Sequence, residues 1–307
     1  MPRLDARDAM PERLRGAIIA LGNFDGFHRG HQAVAGAAIA RARAEGRPAI
    51  VATFDPHPVR FFAPDAPPFR LTTLDQRQEL FEAAGADAML VFGFDAALAA
   101  TSAEDFVADL LARRLAAAGV VTGEDFTFGK GRKGNVSLLA ELAAAAGMSA
   151  EAVRAVAQGG EVVSSSRIRE ALKAGNCEEA TRLLTRPFAI RGLVQHGDKL
   201  GRTIGFPTAN LPLGNYLRPR YGVYAVSARL ADGRVLKGAA NLGIRPQFDP
   251  PKELLEPHFF DFAEDLYGRE IEVALHHFLR GEEKYASLEA LTAQIARDCD
   301  TARELLG

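Results

Sequence analysis

A chain of 307 residues and 33.0 kDa is long enough for two ordinary domains and a sizeable core. Apolar residues at 48% and charged residues at 25% exclude disordered, collagen-like and coiled-coil classes. Lys plus Arg total 37 against 39 for Asp plus Glu, a formal charge of -2, which is not the footprint of a protein that tracks a nucleic-acid backbone.

Residues 1–16 mix Arg3, Asp5, Arg7, Asp8, Glu12, Arg13 and Arg15 with no apolar run suited to a leader core. No later segment supplies about 18 uninterrupted apolar residues either. A cytoplasmic chain without membrane association is therefore expected. Cys177 and Cys299 lie far apart and outside any C-x-x-C pattern, which supports neither a disulfide framework nor a cysteine zinc site. Inert thiols in a reducing compartment are expected.

Buried-strand runs begin near Ala17, Ala49, Asp87, Gly119 and Ala152, at intervals of 32, 38, 32 and 33 residues. Helical patterns rich in Ala, Leu, Glu and Arg fill the intervals, and a spacing just above 30 residues is that of a strand–helix–strand crossover. Residues 17 to about 175 thus predict an α/β doubly wound parallel sheet with helices on both faces.

The first strand runs into Gly22-Asn23-Phe24-Asp25-Gly26-Phe27-His28-Arg29-Gly30-His31. A strand, a glycine-rich turn and a helix start make an anion site, because unpaired N–H groups and the helix dipole point at the ligand. The three-residue spacing of His28 and His31 puts both rings on one helical face within reach of one phosphate, and Gly30 leaves the backbone between them bare. Far downstream, Ser164-Ser165-Ser166-Arg167-Ile168-Arg169 combines N-cap serines with Arg169, a guanidinium one turn into a helix and suited to clamping a polyphosphate.

Beyond the helical segment Glu178–Leu184, Gly and Pro rise. Strand candidates follow at Phe188–Gln195, Gly222–Leu230, Val235–Leu242, His258–Asp261 and Ile271–Phe278, with Asp232-Gly233 as a hairpin turn. An antiparallel β domain is expected, closed by an amphipathic helix over Ser287–Leu306. Within it, Gly197-Asp198-Lys199-Leu200-Gly201-Arg202-Thr203-Ile204-Gly205-Phe206-Pro207-Thr208-Ala209-Asn210 is a glycine-spaced polar loop that does not match G-x-x-x-x-G-K-[ST]. It can still wrap phosphate with backbone N–H groups, and Thr208 and Asn210 offer neutral oxygens suited to a phosphate-bridging magnesium ion. His276-His277 lie in a strand, where neighbours point to opposite faces, so they do not make a paired metal site.

G-N-F-D-G-F-H-R-G-H with S-S-S-R-I-R resembles the H-x-G-H nucleotidyltransferase superfamily, and more closely the adenylyltransferase half of bacterial bifunctional riboflavin kinase/FMN adenylyltransferases. Thr53-Phe54-Asp55-Pro56-His57-Pro58, Leu71-Thr72-Thr73 and Gly123-Glu124-Asp125-Phe126-Thr127-Phe128-Gly129 fit the same family. G-R-T-I-G-F-P-T-A-N is similar to the riboflavin kinase signature, as are Gly222-Val223-Tyr224, Asn241-Leu242-Gly243-Ile244-Arg245-Pro246 and Asp265-Leu266-Tyr267-Gly268. The resemblance spans about residue 17 to 307, in order. It implies an adenylyltransferase domain over 1–184 and a riboflavin kinase domain over 185–307, the latter a six-stranded barrel with a C-terminal helix.

The resemblance further implies ATP contacts in the first domain from Gly22, Phe24, Asp25, Gly26, His28, Gly30, His31, Ser165, Ser166 and Arg169. Flavin contacts fall on Phe54, Asp55, Pro56, His57 and Asp125. In the second domain it implies ATP contacts from Gly197, Lys199, Gly201, Thr203, Gly205, Pro207, Thr208 and Asn210, magnesium on Thr208 and Asn210, and a catalytic carboxylate on Glu256. Catalysis would rest on His28, His31 and Glu256. Riboflavin, FMN and ATP would be the partners, FMN and FAD the products, with no obligate protein partner. Ser166 stands where the family has Thr, Gln247 where R-P-T has Thr, and Pro257 where a β-former is usual.

Two other readings have stated discriminators. A single-activity adenylyltransferase with a flavin-binding barrel would lose kinase turnover, and an aminoacyl-tRNA synthetase relative would retain tRNA on a filter. The near-zero charge of the barrel half and the lack of a K-M-S-K-S-like lysine loop argue against RNA.

Overall fold

The computed structural model describes residues 1–196, 205–245 and 252–307. Two compact units make up the chain: residues 1–67 with 72–164, and residues 68–71 with 165–307.

In the first unit β1 (Arg3–Asp5), β2 (Ile18–Leu21), β3 (Ala49–Asp55), β4 (Ala88–Gly93), β5 (Gly119–Gly123) and β6 (Ser149–Val153) form a parallel sheet in the order β1-β4-β3-β2-β5-β6. Successive residues belong to opposite cores. Ile19, Ile50, Leu90 and Val120 pack with Phe106, Leu111 and Leu139, whereas Ile18, Val51 and Met89 pack with Val34, Ile39 and Phe81. Both faces are covered, so the central strands read as unbroken apolar runs. Burying each such side chain contributes about 1.5–3 kcal/mol. The chain order turns back between β2 and β5, and in an open α/β sheet ligands bind beyond the carboxyl ends of the strands at such a switch point.

The edges differ from expectation. β1 carries two charged residues in three and has no apolar pattern, so only its pairing with Met89–Val91 makes it a strand. β6 begins at Ser149, three residues before the expected run, and Arg154 lies outside it. After it comes a small hairpin of β7 (Ala157–Gln158) and β8 (Glu161–Val162).

The second unit starts with the helices Ser165–Ala174 and Cys177–Leu184 and continues into β9 (Phe188–Leu193), β10 (Leu211–Pro212), β11 (Gly222–Arg229), β12 (Val235–Arg245), β13 (Lys252–Phe259) and β14 (Glu270–Arg280). These form an antiparallel sheet in the order β10-β13-β12-β11-β14-β9. The Gln195 N–H donates to the Asn210 carbonyl at 2.8 Å and draws the two edges together into a nearly closed six-stranded barrel. Ser287 caps the helix Leu288–Leu306, whose Cys299 and Ala302 pack on Ala225 and Ala239. Gly222 is dictated by space as well as by its φ of +150°: a Cβ there would sit 2.1 Å from the Arg280 carbonyl oxygen.

The strand expected at His258–Asp261 is instead the later part of β13, while Asp261 occupies a turn with φ of 52°. The run Lys-Glu-Leu-Leu-Glu-Pro hides its strand character because it has no β-branched residue and contains a proline. No helix among the described residues is long and apolar enough to cross a membrane.

Candidate active sites

β2 ends in the loop that leads to His28, at the N-terminus of the helix whose first turn carries His31. His28 caps the helix Arg29–Ala44, its Nδ1 accepting from the His31 N–H at 3.3 Å, which puts the proton of the neutral ring on Nε2 and makes that nitrogen a donor. The two rings stack with centroids 3.6 Å apart, and His31 meets the edge of Phe24 at 5.2 Å. A Cβ on Gly30 would lie 3.1 Å from the His28 ring and 3.4 Å from the Val163 carbonyl, so the bare backbone preserves the stack.

Phe24 and Phe27 hold left-handed backbone at φ of 50° and 42°, a conformation that costs bulky residues on the order of 1–3 kcal/mol each. Their buried rings pack on Phe81, which holds the loop in place. Asp25 is 4% exposed and accepts from the Thr72 N–H at 3.0 Å, while the Gly26 N–H donates to the Thr72 hydroxyl at 2.9 Å. The segment Leu71-Thr72-Thr73 therefore acts mechanically. Thr72 ties down the loop, and Thr73 begins the helix Leu74–Ala84 through a capping box with Gln76.

β3 lies beside β2 and brings Phe54 and Asp55 to the same edge, followed by Pro56 in a cis bond and His57, whose Nδ1 accepts from the Val59 N–H at 3.2 Å. Phe54, Phe61 and Phe62 surround Phe94, giving this edge an aromatic lining. Asp125, on the turn after β5, is exposed at the opposite side of the switch point. Arg77, which no motif in the sequence singles out, is buried beneath the two loops. It donates to the Asn23 carbonyl at 3.2 Å and the Thr53 hydroxyl at 2.7 Å.

Ser165, Ser166 and Arg169 stand on the helix Ser165–Ala174 of the second unit. The Arg169 Nε donates to the Phe69 carbonyl at 2.8 Å, with the guanidinium 5.3 Å from that ring's centre.

In the barrel, β13 carries Glu256 opposite Asn241 of β12. Leu211 pairs with Leu255, and the Ala209 N–H donates to the Pro257 carbonyl at 2.9 Å, so the same register sets Asn210 opposite Glu256 on its other side. Asn210 and Asn241 thus flank Glu256 in a row across three strands. Pro257 does not break β13. In an antiparallel pair the N–H and C=O of one residue face the same neighbour, so the donor it lacks belongs to the Ala209 side and the ladder to β12 is spared.

His258 reaches the Pro207 carbonyl at 2.9 Å, which seats the segment Gly205–Asn210, including Thr208, along β13. Arg245, part of the Asn241–Pro246 match but given no role from sequence, is hydrogen-bonded to Glu256. With its amide oxygen toward the guanidinium, Asn241 accepts from Arg245 Nη1 at 3.2 Å, and Glu282 lies 3.8 Å away. Burial pushes the Arg245 pKa down, opposed by Glu282. Gly197, Lys199, Gly201, Thr203 and Gln247 lie outside the described residues.

His276 and His277 do point apart: one meets the Ser227 hydroxyl at 2.8 Å, the other Glu178 at 2.7 Å. Among the described residues, no three His, Cys, Asp or Glu side chains cluster as a metal site.

Comparison with known proteins covers nearly the whole chain. A family model described as FAD synthetase matches residues 10–167, and one described as riboflavin kinase matches residues 184–306. The bifunctional riboflavin kinase/FMN adenylyltransferase of Escherichia coli (strain K12) is 43% identical over 292 residues, covering 95% of this chain and 93% of its own. That of Bacillus subtilis (strain 168) is 38% identical, covering 92% and 90%. Among solved structures, a Streptococcus pneumoniae protein described as a macrolide-efflux protein superposes with a TM-score of 0.88 at 29% identity, covering 99% of each chain.

Proposed function

Because the chain belongs to the family of bifunctional riboflavin kinases/FMN adenylyltransferases, we propose a division of labour among its residues for the two reactions it catalyses: ATP-dependent phosphorylation of riboflavin to FMN, then adenylylation of FMN to FAD and pyrophosphate. Residues 1–184 carry the second reaction and residues 185–307 the first, a boundary supported by family matches that end at 167 and begin at 184.

The observation that carries the adenylyltransferase assignment is the stacked pair His28 and His31 at the switch point of the parallel sheet. The FMN phosphate attacks the α-phosphorus of ATP, the bond to the β-phosphate oxygen breaks, and pyrophosphate leaves. A phosphate is already anionic, so no base is required, and catalysis is positioning plus stabilisation of developing charge. The Nε2–H of His28 and the ring of His31 serve the charge, and Gly22, Phe24, Asp25, Gly26 and Gly30 form the ATP loop, with Ser165, Ser166 and Arg169 on the polyphosphate. Phe54, Asp55, Pro56, His57 and Asp125 hold the flavin.

In the barrel Glu256 accepts the proton of the ribityl 5′-hydroxyl as that oxygen bonds to the γ-phosphorus and ADP leaves. Arg245, hydrogen-bonded to it, orients the carboxylate. Asn210, in the row with Glu256, and Thr208, two residues before it, supply hard neutral oxygens, a donor set that fits a magnesium–nucleotide complex. When bound there, the ion neutralises phosphate charge. Gly197, Lys199, Gly201, Thr203, Gly205 and Pro207 complete the ATP loop. The near-zero charge, the absence of a membrane-crossing helix among the described residues and two buried free thiols support a cytoplasmic enzyme acting on small molecules.

Incubation with riboflavin and magnesium-ATP, with chromatography of the products over time, tests the assignment. FMN should appear first and FAD after it. FMN without FAD, from a folded protein, would remove the adenylyltransferase half.

A further inference from the structure

We propose that Arg77 is a positioning residue of the adenylyltransferase centre, holding the nucleotide loop and the flavin strand in the relative placement from which the FMN phosphate meets the α-phosphorus in line. The inference rests on the roles given above to those two segments. Arg77 belongs to the helix Leu74–Ala84, yet its side chain is only 3% exposed. Withdrawing a cation from water costs several kcal/mol unless its donors are met.

The partners show where that cost is recovered. Nη1 reaches two groups on two chain segments: the Asn23 carbonyl at 3.2 Å, just past β2, and the Thr53 hydroxyl at 2.7 Å, in β3. The Thr53 hydroxyl donates in turn to the same Asn23 carbonyl at 2.7 Å, which closes a triangle between the segments. Nη2 lies 3.9 Å from Asp55 Oδ1, two residues further along β3.

Two consequences follow for the reaction. The triangle stands at the root of both half-sites, between the loop that leads to His28 and the strand that leads to His57, so it sets the distance between their substrates. The charge of Arg77 also offsets Asp55, whose carboxylate would otherwise repel two incoming phosphate groups. A lysine keeps the charge but has a single nitrogen, not the planar fork that places Nη1 on the Asn23 and Thr53 oxygens and Nη2 toward Asp55.

The test is steady-state kinetics on full-length Arg77→Met, Arg77→Lys, Thr53→Val and the Arg77→Met/Thr53→Val double variant. Turnover is referred to the flavin-binding-competent fraction measured by FMN fluorescence titration. In Arg77→Met, kcat for FAD synthesis should fall about 10²-fold, the cost of a misplacement of roughly 1 Å. KM for FMN and for ATP should each stay within about threefold, because each half-site still grips its own substrate. Arg77→Lys and Thr53→Val should each lose about tenfold in kcat. The double variant should be no worse than Arg77→Met alone, since both changes act through the Asn23 carbonyl.

Unchanged kcat, a loss that vanishes after correction for competent protein, or multiplicative losses in the double variant would overturn the proposal. If Arg77→Met does not accumulate as folded protein, Thr53→Val and Arg77→Lys decide by the same kcat-against-KM criterion. His31→Ala, assayed in parallel, separates the two layers. Wild-type FAD synthesis in His31→Ala would remove the site assignment itself, whereas an inactive His31→Ala beside a fully active Arg77→Met would remove only the role of Arg77.

Discussion

The rings of His28 and His31 lie face to face, 3.6 Å between centroids and 19° between planes, with the N–H of the second residue bonded to the ring of the first. One substitution therefore disturbs both rings. His28→Ala removes a cap and the support of its neighbour, while His31→Ala removes one donor. FAD formation from FMN should fall by about 10²–10³ in either variant, the usual loss for a charge-stabilising donor. Riboflavin phosphorylation, measured in the same preparation, should be unchanged. Either variant making FAD at the wild-type rate would refute the assignment.

Glu256→Gln should remove riboflavin phosphorylation and leave FMN adenylylation intact. The amide keeps the size and one accepting oxygen but cannot take the hydroxyl proton, a function worth roughly 10²–10⁴ in rate. Asp261 is no substitute, because it sits in the turn beyond β13. Riboflavin binding, followed by flavin fluorescence, should change little. A kinase rate within about threefold of wild type, far short of a base's contribution, would send the search for the base elsewhere.

Fragments should reveal how far the kinase unit extends. Cys177, Ala180, Leu183 and Leu184 are buried within the second unit, and Glu178 meets His277 of β14 at 2.7 Å. A fragment spanning 165–307 keeps these contacts, and one spanning 185–307 loses them, while both lack the short segment 68–71. Both should phosphorylate riboflavin, since each holds Gly205–Asn210 and Glu256. The shorter should melt at a clearly lower temperature, having lost about 1.5–3 kcal/mol for each buried leucine removed. Equal melting midpoints, or a folded 165–307 fragment without kinase turnover beside an active full-length protein, would count against this division.

The thiols provide a pH-dependent prediction. Burial pushes Cys177 up to about 12, with Glu178 adding to the effect, and Cys299 up to about 11. Both values lie above the unfolded thiol, so the folded state holds these protons more tightly. That contribution to stability is complete below about pH 9 and is lost as pH rises through 9 toward 11 and 12. Ellman's reagent at about pH 8 should label neither thiol in the native protein and both in denaturant. Rapid native labelling, or stability that increases between about pH 9 and 11, would contradict the burial argument.

Much of this was legible in the chain itself, for reasons that can be named. β2, β3, β4 and β5 are buried on both faces, so they appear as apolar runs that need no structure to find. The G-x-x-D-G-x-H-x-G-H turn announces itself because its chemistry is local: two rings, a bare glycine and a helix start within ten residues. The hydroxyl and amide of Pro207-Thr208-Ala209-Asn210, and Glu256 in the barrel, are singled out by resemblance alone, since nothing near Glu256 in sequence marks it off from other glutamates.

Sequence alone thus determined the two architectures, the histidine-bearing turn after β2 and the amphipathic helix expected over Ser287–Leu306, because each rests on periodicity or on residues a few positions apart. Tertiary structure decided the rest. Arg77 became the joint between Asn23 and Thr53, partners 54 and 24 residues away. Arg245 came to lie on Glu256, eleven residues away, because β12 and β13 are antiparallel neighbours. β1 became a strand only by pairing with β4, and Pro257 was accommodated because its missing donor faces the loop before β10. In each of these the stabilising partner is distant along the chain, and local propensity carries no information about a distant partner.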